Sequence, residues 1–268
     1  MTARPLPIPA HRPQEAVPIT PAMPTTVLCA FKGGCFKTSI AVALAERLAF
    51  AGLHVLLVTS DEQEDARRRL GVGGSTRPVE RVQRGAGAVS VAGLHDAKVI
   101  DLLYRREPGR LADYDLAIVD TAAGLRAARL PGVRLLCPID GTDAAENLVV
   151  ALRRTPQNSG IVLARVGVAQ AREWSVVADA LARAVGRDDL TYLPEPLPRV
   201  AALADACDAA ESFWTVPRRK GVRRFCDGLS ALAAALWSDL DRDHALPPPP
   251  GAEQIHVAGW DDGAEDGD

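Results

Sequence analysis

The sequence has little of what marks membrane, secreted or zinc-binding proteins. No apolar run in its 268 residues approaches the roughly 20 needed to cross a bilayer, and no apolar signal-peptide core stands at the N-terminus. The five cysteines are dispersed without CxxC spacing, which argues against a disulfide framework and a zinc site. We therefore expect a cytoplasmic protein. Its 47% hydrophobic and 24% charged residues are typical of a globular core.

Basic residues are missing from the C-terminal tail. Residues 251–268 carry six acidic side chains and no Lys or Arg, so residues 1–250 have a net charge of +3 against −3 for the whole chain. A mildly basic body is compatible with a polyanion partner. The proline density of residues 1–24 and the run Pro247–Pro250 interrupt regular structure. We expect a flexible arm (1–24), one folded domain (25–245), and a polyproline stop with an acidic tail (246–268).

Within the body, short apolar runs alternate with longer amphipathic segments. The runs are Thr26–Phe31, His54–Thr59, Leu116–Val119, Val133–Cys137, Gly160–Arg165 and Leu190–Leu193. The predicted helices are Thr38–Ala51, Asp143–Arg154, Glu173–Val185 and Gly221–Asp241. Near-continuous apolar strands separated by helices indicate an α/β protein with a doubly wound, mostly parallel sheet. Such sheets bind ligands beyond the carboxyl ends of their strands.

A phosphate-binding loop is predicted at that position. Residues 31–39 (FKGGCFKTS) follow the first run and open the first helix, so backbone amides and the helix dipole point at an anion. Lys37 would neutralise the β- and γ-phosphates, the Thr38 hydroxyl would ligate Mg²⁺, and Gly33 and Gly34 would allow close approach. Phe36 stands where the general pattern has Gly, at a cost of about 1 kcal/mol if its φ is positive. The alternative is a glycine turn with incidental lysines.

This loop resembles the deviant Walker A motif of the ParA/MinD family of ATPases, and most of all the ParA-type partition branch. The family pattern is Lys-Gly-Gly-x-Gly-Lys-Thr-[Thr/Ser]. It is matched at Lys32, Gly33, Gly34, Lys37, Thr38 and Ser39, with Cys35 at the variable position and Phe36 as the departure. The resemblance implies a P-loop NTPase fold, ATP and Mg²⁺ as cofactors, and an ATP-sandwich homodimer. In that dimer Lys32 would reach the partner's phosphates.

Further landmarks of the family follow in order between Thr26 and Val216, although residues 62–113 match weakly. Residues 114–124 resemble Walker B and switch II, which implies that Asp120 supports the metal and Gly124 senses the γ-phosphate. Residues 57–63 resemble switch I, with Asp61 orienting the attacking water. Asp61 is also compatible with a simple helix cap. Residues 137–140 resemble the hydrophobic-Pro segment, and residues 197–206 resemble the late signature that places Pro198 near the adenine.

The resemblance implies slow, partner-stimulated ATP hydrolysis used to segregate or position a plasmid or other cargo. The partner would be a centromere-binding or adaptor protein. A basic cluster around the start of the last helix would bind nonspecific DNA in the ATP state; alternatively, it is a solvated helix start. The cluster consists of Arg218, Arg219, Lys220, Arg223 and Arg224. The acidic tail argues against a membrane role.

Two other functions and one further surface are predicted. The protein is alternatively a weakly hydrolysing, ATP-dependent binding scaffold, as Phe36 and the altered switch I suggest. A metabolic P-loop synthase of the dethiobiotin or cobyrinic-acid type shares the fold, but no residue set proposes its substrate pocket. The run Arg67-Arg68-Arg69 is expected to form a surface face.

Overall fold

The protein is described from a computed structural model. It describes residues 20–30, 36–60, 65–104, 111–121, 129–167, 171–187, 190–193, 196–217, 220–240 and 242–250. In this part of the chain no helix is both long and apolar enough to cross a membrane.

One eight-stranded sheet forms the centre of the molecule. Its strands are β1 (Thr25–Leu28), β2 (His54–Thr59), β3 (Val79–Arg84), β4 (Gly87–Gly93), β5 (Leu116–Asp120), β6 (Arg134–Ile139), β7 (Gly160–Arg165) and β8 (Leu190–Tyr192). They lie in the order β3-β4-β2-β5-β1-β6-β7-β8, and every neighbouring pair is parallel except β3 with β4. This confirms the predicted doubly wound, mostly parallel α/β fold.

Helices cover both faces of the sheet. They are α1 (Lys37–Phe50), α2 (Asp65–Arg69), α3 (Asp96–Tyr104), α4 (Thr142–Leu152), α5 (Ala171–Val185), α6 (Ala201–Asp208) and α7 (Lys220–Asp239). One buried cluster packs α1 and α7 on one face, and a second packs α3 and α4 on the other. Neighbouring residues of β1 point to opposite clusters, Leu28 to the first and Val27 to the second. A helix buried on nearly all sides, such as α1, is apolar around most of its circumference.

The edge hairpin formed by β3 and β4 was not predicted from the sequence. Gly85 turns the chain with a φ of 58°, and the alternating exposure of β3 is typical of an edge strand. Gly87 lies so close to the backbone of α1 and the following loop that a β-carbon there would stand 2.2 Å from the Leu53 carbonyl oxygen. The hairpin therefore extends the sheet against the C-terminal end of α1.

The described ends of the chain pack against the body. The Ala22 amide donates to the Leu103 carbonyl at 2.8 Å, and Met23 is buried. After α7, Leu246 packs on the first cluster and the Pro247 carbonyl accepts a hydrogen bond from the buried Arg47 guanidinium. Residues 20–24 and 242–250 thus belong structurally to the folded domain.

The run of three arginines is not a uniform surface face. Arg67 is buried and donates to the carbonyls of Ser75 and Arg77 at 3.1 and 2.9 Å, whereas the Arg68 side chain is 62% exposed. Since a buried guanidinium needs acceptors, the loop before β3 folds around Arg67. The expectation fails because charge alone does not show which side of a short helix faces the core.

Candidate functional site

Three strands end level with one another at the carboxyl edge of the sheet. Asp120 at the end of β5 is in register with Leu28 of β1 on one side and Thr59 of β2 on the other. Two hydrogen bonds extend the alignment beyond the strands: Ser60 N–H donates to the Asp120 carbonyl at 3.0 Å, and the Thr121 hydroxyl to the Leu28 carbonyl at 2.7 Å. Asp120 is therefore held beside the chain that leaves β1.

The helix that follows β1 has an open N-terminus. Its N-cap, Phe36, makes no side-chain capping hydrogen bond, and the first turn contains no acidic residue. The first backbone amides of an uncapped helix carry a partial positive charge that attracts anions. Lys37 and Thr38, both partly exposed, stand in that first turn. This arrangement is suited to binding phosphate groups.

Lys37 acts electrostatically on the end of β1. Cys29, directly after β1, and Cys137 of β6 are both buried free thiols. The pKa of Cys29 is lowered, first by a hydrogen bond from the Cys137 thiol and also by the positive charge of Lys37, although burial opposes both. The pKa of Cys137 is raised by the same hydrogen bond and by burial. Lys37, in the first turn of α1, is thus a cation that acts on the thiol directly after β1.

The donor set at this edge fits a magnesium nucleotide. Mg²⁺ prefers oxygen ligands, and in nucleotide sites it takes one or two from the protein and the rest from phosphates and water. Thr38 supplies a hydroxyl and Asp120 a buried carboxylate. Within the described ranges no group of three His, Cys, Asp or Glu residues forms a metal cage. These residues fit a site in which Thr38 and Asp120 supply the protein ligands and the phosphates and water supply the rest.

Sequence reasoning missed two contacts that hold the loop. Arg69 of α2 donates a hydrogen bond to the hydroxyl of the buried Ser39, so the segment after the predicted switch I touches the start of α1. The Arg199 guanidinium lies 5.3 Å from the centre of the Phe36 ring and pairs with Asp140 at 3.0 Å. Partly buried Pro198 is the neighbour of Arg199. Each contact joins residues at least 30 positions apart, so no local pattern reveals it.

Three residues of the basic cluster are described, and they lie at the carboxyl edge of the sheet. Lys220 opens α7, and Arg223 and Arg224 are exposed in its first turns. The start of α7 packs beside Val200, because a β-carbon on Gly221 would stand 3.1 Å from the Val200 side chain. The far end of α7 reaches the opposite edge, where Asp239 pairs with Arg134 at the start of β6.

Several predicted site residues lie outside the described residues. These are Lys32, Gly33, Gly34, Cys35, Asp61, Gly124, Arg218 and Arg219. The structure brings together Phe36, Lys37, Thr38, Ser39 and Asp120 at one edge, with Pro198 on the neighbouring segment.

A mostly parallel sheet whose inner strand leads into an uncapped helix beginning Lys-Thr defines a P-loop nucleotide-binding protein. The family profile of the CobQ/CobB/MinD/ParA nucleotide binding domain matches residues 26–212. Because the match covers more than half of the chain, the protein belongs to this family. No curated protein matches it.

Solved structures share the fold at low sequence identity. The MinD cell division protein of Aquifex aeolicus is 15% identical with a TM-score of 0.57, and the alignment covers 84% of this chain and 100% of that one. The ATP complex of a Cyanothece McdA variant is 14% identical with a TM-score of 0.56, covering 78% and 96%. The cobyrinic acid a,c-diamide synthase of Mycobacterium smegmatis, with bound ADP and magnesium, is 16% identical with a TM-score of 0.50, covering 85% and 100%.

The family and the site together define the biochemical class. The protein is an ATPase of the CobQ/CobB/MinD/ParA family, with ATP and Mg²⁺ as its cofactors. The two predictions of family and cofactor are confirmed. The neighbours at these identities share the fold alone, so the use made of ATP is a separate question.

Proposed function

We propose that this protein is a ParA-like ATPase that binds ATP–Mg²⁺ as a sandwich dimer, binds nonspecific DNA in that state, and so segregates or positions a plasmid or other cargo. Lys37 and Thr38 bind the phosphates and metal, Asp120 supports the metal, Lys32 acts across the dimer and Asp61 orients the water. A centromere-binding or adaptor protein stimulates hydrolysis and releases the DNA.

Two exposed arginines at the nucleotide-binding edge are the observation that carries the DNA-binding proposal. Arg223 and Arg224 are exposed, and neither forms an ion pair with another described residue. Their positive charges at the start of α7 are opposed by the helix dipole, which favours cations at the other end. An external polyanion would compensate charges that the described part of the fold leaves uncompensated.

The position of these arginines supports a link between DNA binding and nucleotide binding. The first turn of α7 packs beside Val200, the neighbour of Arg199, and Arg199 contacts Phe36 at the start of α1. A dimer formed around ATP doubles the number of cations presented together. Because each neutralised phosphate releases a counterion, the affinity of such a surface falls steeply with salt.

The test is binding to random-sequence duplex DNA with ATP, with ADP and without nucleotide, each at two salt concentrations. We expect salt-sensitive binding with ATP only, and a loss of at least about tenfold when Arg223 and Arg224 are both changed to Ala. Equal binding in the three nucleotide states, or none in any, would remove DNA from the proposed function.

A matched control uses another pair of consecutive exposed arginines. Arg153 and Arg154 follow α4, where Arg153 donates to the Ala184 carbonyl at 2.8 Å. The variant with both changed to Ala removes the same charge and should retain DNA binding. Lys37→Ala should lose ATP-dependent binding while keeping the basic surface. A comparable loss in both arginine pairs would indicate a general charge effect.

Phe36 favours a second candidate, a scaffold that dimerises with ATP but barely hydrolyses it. A non-glycine residue with a positive φ just before Lys37 is strained, and the strain constrains the loop that must follow the phosphates during turnover. Measuring phosphate release with and without DNA distinguishes the scaffold from the hydrolysing ATPase. ATP-dependent dimers with no turnover in either condition support the scaffold.

A further inference from the structure

Phe36 has a backbone conformation that its side chain disfavours. It is the N-cap of α1, directly before Lys37, with φ 60° and ψ 15° in the left-handed region. A β-carbon crowds the following carbonyl there, whereas glycine adopts the conformation freely. Since the residue itself cannot stabilise this backbone, contacts from the rest of the protein must hold it.

Those contacts come from two other segments at the carboxyl edge. The Phe36 ring packs partly buried against the cluster under α1 and α7. The Arg199 guanidinium, from the segment before α6, lies 5.3 Å from the ring centre. Asp140, directly after β6, fixes that guanidinium through a 3.0 Å ion pair, and its own side chain is only 10% exposed. We call Phe36, Arg199 and Asp140 the Phe36 bracket.

We propose that the Phe36 bracket presets the start of α1 for the nucleotide, with Arg199 and Asp140 as positioning residues for ATP. The torsion angles of Phe36 determine where the Lys37 and Thr38 amides point. If the ring is released, the strained residue relaxes and those amides lose their common direction. Arg199 acts on the loop rather than on phosphate, because its guanidinium lies over the Phe36 ring and is held there by the ion pair with Asp140.

The inference rests on ATP binding at the start of α1 and is independent of DNA binding. ADP–Mg²⁺ titration in the absence of DNA therefore tests it, even if the DNA-binding proposal fails. Absence of ADP binding by the unmodified protein would overturn the Phe36 bracket and the nucleotide site together. Absence of DNA binding would leave both in place.

A double-mutant cycle measures whether Arg199 acts through Phe36. Arg199→Met should lower ADP affinity by about five- to thirtyfold, the factor that corresponds to the usual cost of a left-handed non-glycine residue. In the Phe36→Gly background, where the backbone is unstrained and the ring is absent, the same change should matter less than about twofold. Asp140→Asn should act in the same direction as Arg199→Met. Equal losses in both backgrounds, or no loss in either, would overturn the proposal.

The chain offers a matched control at the opposite edge of the sheet. Arg242 also lies over an aromatic ring, 5.8 Å from the centre of Trp237, and also pairs with an aspartate, Asp115, at 2.5 Å. Arg242→Met should leave ADP affinity unchanged, and thermal unfolding of both variants checks that each is folded. Arg199→Lys keeps a cation over the ring and should retain most of the affinity. Equal loss of affinity in Arg199→Lys and Arg199→Met would contradict the cation's role.

Discussion

Replacing Arg84 by methionine tests whether a buried carboxylate joins α1 to the edge hairpin. Glu46 of α1 is only 1% exposed, and its carboxylate accepts two hydrogen bonds of 2.7 Å, from Arg84 of β3 and from the Ser212 hydroxyl. Burial raises the pKa of Glu46 above its ordinary value of 4.5, although Arg84 and Ser212 oppose that shift. The Arg84→Met variant removes the charged partner of Glu46 and leaves the Ser212 hydroxyl in place.

The expected loss depends on pH. Removing one partner of a buried pair costs about 3 kcal/mol when the other must stay ionised. A carboxyl whose folded-state pKa is raised stabilises the fold below its ordinary value, and that contribution is lost as pH rises through the folded pKa. Without Arg84 the pKa of Glu46 rises further, so the variant is penalised most at high pH. We expect a loss of about 3 kcal/mol at pH 8 and a smaller loss at pH 5, because protonation of Glu46 removes the charge that Arg84 compensates.

Urea unfolding at both pH values, followed by circular dichroism, gives these free energies. In a Glu46→Gln background the Arg84→Met change should cost about 1 kcal/mol or less at either pH, since no carboxylate remains. Arg81→Met, at an exposed position on the same strand, should stay within about 0.5 kcal/mol of the parent. A loss from Arg84→Met that is the same at pH 5 and pH 8 would refute the electrostatic reasoning and leave lost packing as the cause.

Two further predictions concern the backbone. Phe36→Ala keeps a strained left-handed residue but removes the ring. This variant should therefore bind ADP–Mg²⁺ more weakly than Phe36→Gly and be about 1 kcal/mol less stable. Calorimetric titration and thermal unfolding measure the two differences, and equal affinities would contradict the prediction. Gly87→Ala should destabilise the fold by at least about 3 kcal/mol, because the new β-carbon would stand 2.2 Å from a carbonyl oxygen. Gly160→Ala is the control: a β-carbon there meets nothing within 4 Å, so stability should change by under about 1 kcal/mol. Thermal unfolding of the pair measures the difference.

The sequence was most informative where burial is two-sided. The runs His54–Thr59 and Gly160–Arg165 match β2 and β7 at both ends, because strands covered by helices on both faces are apolar throughout. The lysines and glycines of residues 31–39 predict where the connection between β1 and α1 lies. The positive φ that would cost Phe36 conformational energy is observed, at 60°.

The sequence was least informative at the edge of the sheet and in long-range contacts. β3 is half-exposed and β4 is built mainly of small residues, so neither forms a strongly apolar run. Gly85 and Gly87, where the two segments meet, are the local signal of a turn. The ion pair of Arg199 with Asp140 joins positions 59 apart. Both residues occur in segments that resemble the family, yet nothing in the sequence of either segment shows that they meet over Phe36.

The position of a cavity in the described part of the fold bears on the alternative function as a metabolic synthase. A cavity of about 240 Å³ opens at the amino-terminal edge of the sheet, between the starts of β1 and β6 and the end of α7, with Thr26, Arg134 and Asp239 in its lining. A synthase must hold its carboxylate substrate within reach of the γ-phosphate, which would lie at the opposite edge beside Lys37. This cavity therefore cannot serve as that substrate pocket. The exposed pair Arg223 and Arg224 shares the nucleotide edge and is suited to a large polyanion, which is the observation on which the DNA-binding proposal rests.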